Sequence, residues 1–291
     1  MQKGKAVRPP SAAGLFYPLG EKPLRQMVEA CFNSPLGPGT LPAREVAQPR
    51  DIIGLISPHA GLIYSGPVAA NGFSLLASQE KARRVVILGP NHHGLGPPFA
   101  VSMSTEWVMP MGRVKVDTEG VALLASRYKA LKNDESAHAA EHSLEVQLPF
   151  LQYIYGKDLA IIPVSMQFLD AEVCLDFGRS IAAVFSPSDT LIIASSDFSH
   201  YESQEVVNRK DGLALRAIEN MDIAGFASVV DRYDISACGA GPIIAMLGAC
   251  LEWGASEAKV LRHATSGDVS GDFERVVGYA SVAVSIKTQR S

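Results

Sequence analysis

Three stretches of this 291-residue chain end an aliphatic run on side chains that bind metals or move protons. "IGLISPHAG" closes on Ser57-Pro58-His59, "VVILGPNHH" on Asn91-His92-His93, and "LIIASSDFSH" on Ser195-Ser196-Asp197 followed by His200. Imidazole suits iron, copper, zinc and nickel, so His59 and His92 point to a divalent transition metal. Two places offer a third ligand. Cys238 in "ISACGAGPIIAML" precedes a predicted helix, where backbone N–H groups and the helix dipole favour thiolate over thiol. Asp197 or His200 of "SSDFSHY" is the other. Adjacent side chains on extended backbone point to opposite sides, so only one of His92 and His93 is expected to face a site.

"EHSLEVQLPFLQYIY" places Glu141, His142 and Glu145 at helical spacing. Acidic residues there suit the positive end of a helix, or Glu141 or His142 turns back towards the crevice. His138 and His263 read as surface or structural residues. Cys31, Cys174 and Cys250 fall at apolar positions of helical patterns and read as core. No GxGxxG after a strand, no GxxxxGK[ST] and no HExxH occurs. "GLIYSGP" lacks the GxSxG elbow. The competing chemistry is a Cys238–His–Asp nucleophile.

The elements that must carry these residues alternate in type. Near-continuous apolar runs at 51–57, 83–89, 159–166, 190–197 and 276–286 predict strands covered on both faces. Apolar residues at helical spacing predict helices over 23–32, 66–79, 118–128, 141–155, 171–185, 209–222 and 241–254. This alternation predicts a layered α/β fold. In open α/β sheets ligands bind beyond the carboxyl ends of the strands, where the three polar endings lie. Pro58 and Pro90 stop their strands for want of an N–H. The Pro- and Gly-rich stretch 33–51 reads as a loop, and with no internal repeat the chain reads as a single domain over 1–291.

Bulk properties narrow the function classes. The chain is 47% hydrophobic, enough for a sizeable core, and carries a net charge of −4 with no long basic run. Nucleic acid and anionic membranes are therefore not expected as partners. No apolar stretch reaches the ~18 residues of a membrane span, and the start has no apolar signal region, which predicts a cytoplasmic protein. Its four cysteines show no CxxC pairing, in keeping with reduced thiols.

"SPHAGLIYSG", "ILGPNHHG", "EHSLEVQLPFLQ", "SSDFSHY" and "ACGAGPI", in this order, closely resemble the Memo family, called AmmeMemoRadiSam system protein B in prokaryotes. The opening "VRPPSAAGLFYP" and closing "VVGYASVAV" resemble that family's ends, so the resemblance covers nearly the whole chain. It implies a single-domain α/β/α sandwich around a mostly parallel or mixed sheet, similar to the LigB-type class III extradiol dioxygenases, which are non-haem iron enzymes. It implies that His59, His92 and Cys238 bind the metal, iron or copper foremost with zinc as a further candidate, in a redox role. His200 matches the acid/base position of the dioxygenase relatives, and Asp197 lines the same crevice. His93, Glu141 and His142 are left as pocket wall or as supports of a ligand. Radical-SAM and AMMECR-type proteins are the implied partners, with a small molecule or peptide as ligand. The dioxygenases use a carboxylate where Cys238 stands here. A thiolate is softer, which makes Cu(I), zinc and iron competitive and weakens the case for ring cleavage.

Overall fold

The computed structural model describes residues 6–42, 48–167 and 170–286, so residues 43–47 of the loop read over 33–51 lie outside the described residues. The strands are β1 (Val7–Arg8), β2 (Ile52–Ser57), β3 (Arg84–Pro90), β4 (Phe99–Val101), β5 (Glu106–Met109), β6 (Gly112–Val116), β7 (Leu131–Asn133), β8 (Ala160–Met166), β9 (Thr190–Ser195), β10 (His200–Glu202), β11 (Glu257–Thr265) and β12 (Val276–Ser285). The helices are α1 (Glu21–Asn33), α2 (Leu62–Ala77), α3 (Thr118–Arg127), α4 (Ser136–Ala139), α5 (Leu148–Tyr155), α6 (Ala171–Val184), α7 (Gln204–Glu219), α8 (Ile223–Arg232), α9 (Ala240–Glu252) and α10 (Gly267–Ser270).

All the strands join one mixed sheet, whose main path runs β1-β5-β6-β8-β3-β9-β2-β12-β10. Its centre, β8-β3-β9-β2, is parallel, and β12 closes antiparallel onto β2. Every residue of β2, β3 and β9 is buried, as aliphatic runs covered on both faces should be. α1, α2 and α5 pack together on one side, while α3, α6, α8 and α9 form the other layer. The fold is the expected layered α/β architecture. One consequence governs the site. β3, β9 and β2 are neighbours pointing the same way, so their carboxyl ends open along one edge of the sheet.

The expected strands all form, whereas the helices differ in extent. α2 starts at Leu62 rather than 66, and Pro67 sits inside it. The carbonyl that Pro67 cannot bond belongs to Ile63, an exposed residue of the first turn, where water can satisfy it. The helix expected over 141–155 is shorter: a turn leads through a 3₁₀ segment, Glu145–Gln147, into α5. Glu141 and His142 therefore lie outside the helix, because their side chains are engaged elsewhere. α7 begins at Gln204 instead of 209. α8, β11 and the short strands β1, β4–β7 and β10 have no clear counterpart in the apolar pattern.

Candidate functional site

The shared strand edge forms a crevice of about 650 Å³ lined by Phe16, His59, Ala60, Gly61, His92, His142, Asp197, His200, Tyr201, Ser236, Cys238 and Val277. His59 follows β2, His92 follows β3, and Asp197 follows β9 between them. Cys238 arrives from the turn before α9. That turn is seated by the Gly239 amide, which donates to Ser196 Oγ at 3.0 Å. Any side chain at Gly239 would stand 2.4 Å from the Ser195 carbonyl, so only glycine lets the turn lie this close to β9.

Ligand atoms from His59, His92 and Cys238 lie within 4.8 Å of one another, and His59 Nε2 is 3.2 Å from Cys238 Sγ. Hydrogen bonds decide which nitrogen each ring can offer. Ser195 Oγ donates to the Ser143 carbonyl at 2.7 Å and accepts from Gln147 Nε2 at 2.8 Å. With its proton committed, Ser195 Oγ can only accept from His59 Nδ1, 2.9 Å away. Glu141 Oε1, a carboxylate oxygen, accepts from His92 Nδ1 at 2.9 Å. Both rings therefore carry their proton on Nδ1, and both keep the Nε2 lone pair for the crevice. This is how oxygen partners set the tautomer of metal-ligating histidines. Two imidazole nitrogens and one sulfur fit zinc, iron or copper.

Protonation follows from burial. Desolvation, then the neighbouring His92, pushes His59 down to about 3, so its ring is neutral. Burial and then His59 push His142 down to about 4. Burial alone would raise Glu141, yet bonding to His92 and the Ser143 amide carries it down to about 2. Burial raises Asp197 against the pull of the His59 amide. Burial, followed by the charge of Asp197, also raises the Cys238 thiol. The expected activation by the helix start is thus outweighed, and a bound cation is needed to favour thiolate.

The remaining residues sort by contact. Asp197 Oδ1 accepts the His59 amide at 2.8 Å, which holds the His59 turn. His200 Nδ1 donates to the Ser236 carbonyl at 2.9 Å, leaving Nε2 as the nitrogen available to the crevice. Tyr201 adopts φ 61°, the left-handed region. Neighbours on a strand normally face opposite ways, but this bend brings both His200 and Tyr201 into the lining. His93 is not in the lining: its Nε2 donates to the Ala140 carbonyl at 3.0 Å, so it is no pocket wall and steadies the 140–142 turn instead. His142 does line the crevice, and Glu141 stands behind His92. Ligand atoms of His92, Glu141 and His142 also lie within 4.8 Å. The two rings are stacked at 4.6 Å and 17°, however, so their in-plane lone pairs lie in nearly parallel, offset planes and do not converge on one ion. His138 is buried and structural, and His263 Nε2 bonds Asp211 at 2.9 Å.

Sequence reasoning missed Phe16, Tyr201, Ser236 and Val277 in the lining, and Gln147 and Ser143 behind His59. None has a residue type that announces chemistry. Gly89 carried a signal: a side chain there would stand 2.7 Å from Ser143 Oγ, so glycine marks the close approach of the turn that delivers Glu141.

A profile of the family described as "Memo-like protein" matches residues 8–283. A MEMO1 family protein of Methanopyrus kandleri is 44% identical across 94% of this chain and 98% of its own. Another, from Ignicoccus hospitalis, is 44% identical across 95% of this chain and 98% of its own. A third, from Thermotoga neapolitana, is 42% identical across 96% of this chain and 100% of its own. Among solved structures, an uncharacterized protein of Escherichia coli K12 superposes with a TM-score of 0.52 at 13% identity, covering 81% of this chain and 100% of that one. That likeness concerns the fold alone.

Proposed function

The chain belongs to the Memo family, and from that membership and the crevice geometry we propose that it is a metal-binding protein whose ligands are His59, His92 and Cys238. The observation that carries this reading is the pair of tautomer locks. His59 Nδ1 is tied to Ser195 and His92 Nδ1 to Glu141, so both Nε2 lone pairs are presented beside a thiol. Two imidazoles and a soft sulfur suit iron, copper and zinc alike; iron or copper is the reading put forward, with zinc as the redox-inert alternative. When bound, iron or copper would supply Lewis acidity and one-electron redox chemistry. The chain's own residues do the rest. Cys238 gives up its proton on ligation. Asp197 holds the His59 turn. His200, with its proton on Nδ1, can take a proton from a crevice ligand at Nε2 and return it, as an acid/base residue does.

The Cys238–His59 contact would also suit a thiol nucleophile. Burial and the Asp197 charge hold this thiol protonated, the opposite of activation, which counts against a hydrolase or transferase. Elemental analysis of the purified chain tests the proposal. Iron or copper near one equivalent is expected, and loss of it from His59→Ala, His92→Ala and Cys238→Ser. Equal metal in the triple variant would remove the assignment.

A further inference from the structure

His92 is the odd ligand of the three. Its side chain is 31% exposed, whereas His59 is buried. It sits on a loop with two left-handed glycines, Gly94 at φ 64° and Gly96 at φ 78°. The loop backbone is tied, Asn91 Nδ2 donating to the Leu95 carbonyl at 2.6 Å and Gln167 Nε2 to the Gly96 carbonyl at 2.9 Å, so what must still be ordered for binding is the half-exposed ring itself. Glu141 fixes the edge of the ring, but a single hydrogen bond leaves it free to rock about that bond.

The faces of the ring are held differently. His142 stacks on His92 with centroids 4.6 Å apart and 17° between planes. Phe16 stacks on the other side of His142 at 4.1 Å and 20°. His59 meets both histidines edge-on, at 5.2 Å and 5.5 Å. Phe16 comes from the far end of the sequence, on a segment that is heavily anchored. Arg8 Nη2 donates to the Glu141 carbonyl at 2.8 Å, and Arg8 Nε donates to the His138 carbonyl at 2.8 Å. The amides of Ser11 and Ala12 both donate to Glu145 at 2.9 Å, and the Arg8 guanidinium and Tyr17 hydroxyl bond the same carboxylate. The Phe16 carbonyl accepts the Leu62 amide at 2.8 Å, just beyond the His59 turn. Residues 8–17 thus strap together the turn after β2 and the turn carrying Glu141 and His142. His142 has no hydrogen bond at either ring nitrogen among the described residues, Glu141 Oε1 being 3.6 Å away. What His142 offers here is its face.

We propose that Phe16 and His142 form an aromatic clamp that orders His92 for metal binding, both acting as positioning residues through the ring stack. This rests on the metal-site reading above. Supports behind a metal ligand typically set affinity by about 10–100-fold, and the clamp belongs at the lower end because it holds its ligand by ring contact without a hydrogen bond to a ligand nitrogen.

The test is a Co(II) titration of the full-length metal-free protein, following the visible absorption of a thiolate-bound cobalt centre, with melting of each metal-free variant as the folding control. Phe16→Ala and His142→Ala are each expected to weaken Co(II) by about tenfold and to shift the band, and Phe16→Leu, which keeps bulk without a ring, does the same. Phe16→Tyr and His142→Phe keep the stack and are expected to retain affinity and spectrum. The Phe16→Ala/His142→Ala double variant loses no more than His142→Ala alone, since both act along one path. Wild-type affinity in Phe16→Ala and Phe16→Leu would overturn the clamp. So would a loss in His142→Phe equal to that in His142→Ala, which would assign the work to a ring nitrogen. A wild-type chain that takes Co(II) without needing His59, His92 or Cys238 would instead sink the metal-site reading itself.

Discussion

Glu141→Gln changes one atom of a buried side chain and keeps its shape. The carboxylate takes three N–H donors: the His92 amide on Oε2 at 2.7 Å, and His92 Nδ1 and the Ser143 amide on Oε1, each at 2.9 Å. A glutamine has one acceptor oxygen and one NH₂. With the oxygen at the Oε1 position, the NH₂ confronts the His92 amide and that donor is stranded. With the amide reversed, the NH₂ faces His92 Nδ1 and the Ser143 amide. His92 then regains a bond only by moving its proton to Nε2, the atom a metal requires. Either orientation loses a bond to a charged acceptor, worth about 1.5–3 kcal/mol. The metal-free variant should melt several degrees lower, at about 2–4 °C per kcal/mol. Metal affinity should fall by about 10–100-fold, measured by competition with a chromophoric chelator. A lowered melting temperature with unchanged affinity would refute the reasoning, because the carboxylate would then be structural and the His92 tautomer would not depend on it.

Tyr201 should reveal its strain when two truncations are compared. Both Tyr201→Gly and Tyr201→Ala remove the ring, but only glycine is at ease at φ 61°, so the glycine variant should be more stable by about 1 kcal/mol in urea unfolding; equal stabilities would mean the bend costs nothing. Burial of His138 lowers its pKa to about 4 from the usual 6.5, so its stabilisation is complete above about 6.5 and is lost as pH falls towards 4. Between pH 7 and 5 the unfolding free energy should fall by about 2 kcal/mol from this residue, and His138→Gln should remove that share of the slope, leaving the shares of His59 and His142, which burial lowers likewise; an unchanged slope would show that His138 carries none of it. Arg8 and Glu145 are both fully buried, so Arg8→Met, which leaves the carboxylate unpaired, should cost about 3–5 kcal/mol. Adding Glu145→Gln should recover part of that loss in the same melts, and simple additivity would contradict a coupled pair.

Much of the architecture was legible because burial on two faces leaves a strong trace. The aliphatic runs of β2, β3, β8, β9 and β12 match strands covered on both faces of a layered α/β fold. Elements held by side-chain bonds left no such trace. Glu141 and Glu145 have helical spacing, yet Glu141 gives its oxygens to His92 and Ser143, and the chain enters an α-helix only at Leu148. β10 is three residues bent around a left-handed tyrosine, which no periodicity reveals.

For the site, residue types at three strand ends and before one helix were enough to nominate His59, His92, Cys238, Asp197 and His200, with the family resemblance choosing Cys238 as third ligand, because soft and titratable side chains among glycines and prolines are chemically conspicuous. Sheet order was not available from one chain. Placing β9 between β3 and β2 is what turns three polar strand ends into one edge. The roles within the crevice were also tertiary. Proton positions on His59 and His92 come from Ser195 and Glu141, brought from elsewhere in the chain. The protonated state of Cys238 comes from burial beside Asp197, which overrides the helix start that its sequence position suggested. Side-chain identity determines which chemistry is possible. Which nitrogen, which proton and which wall depend on distances of 2.7–4.6 Å between residues distant in sequence, and only the packed chain sets those.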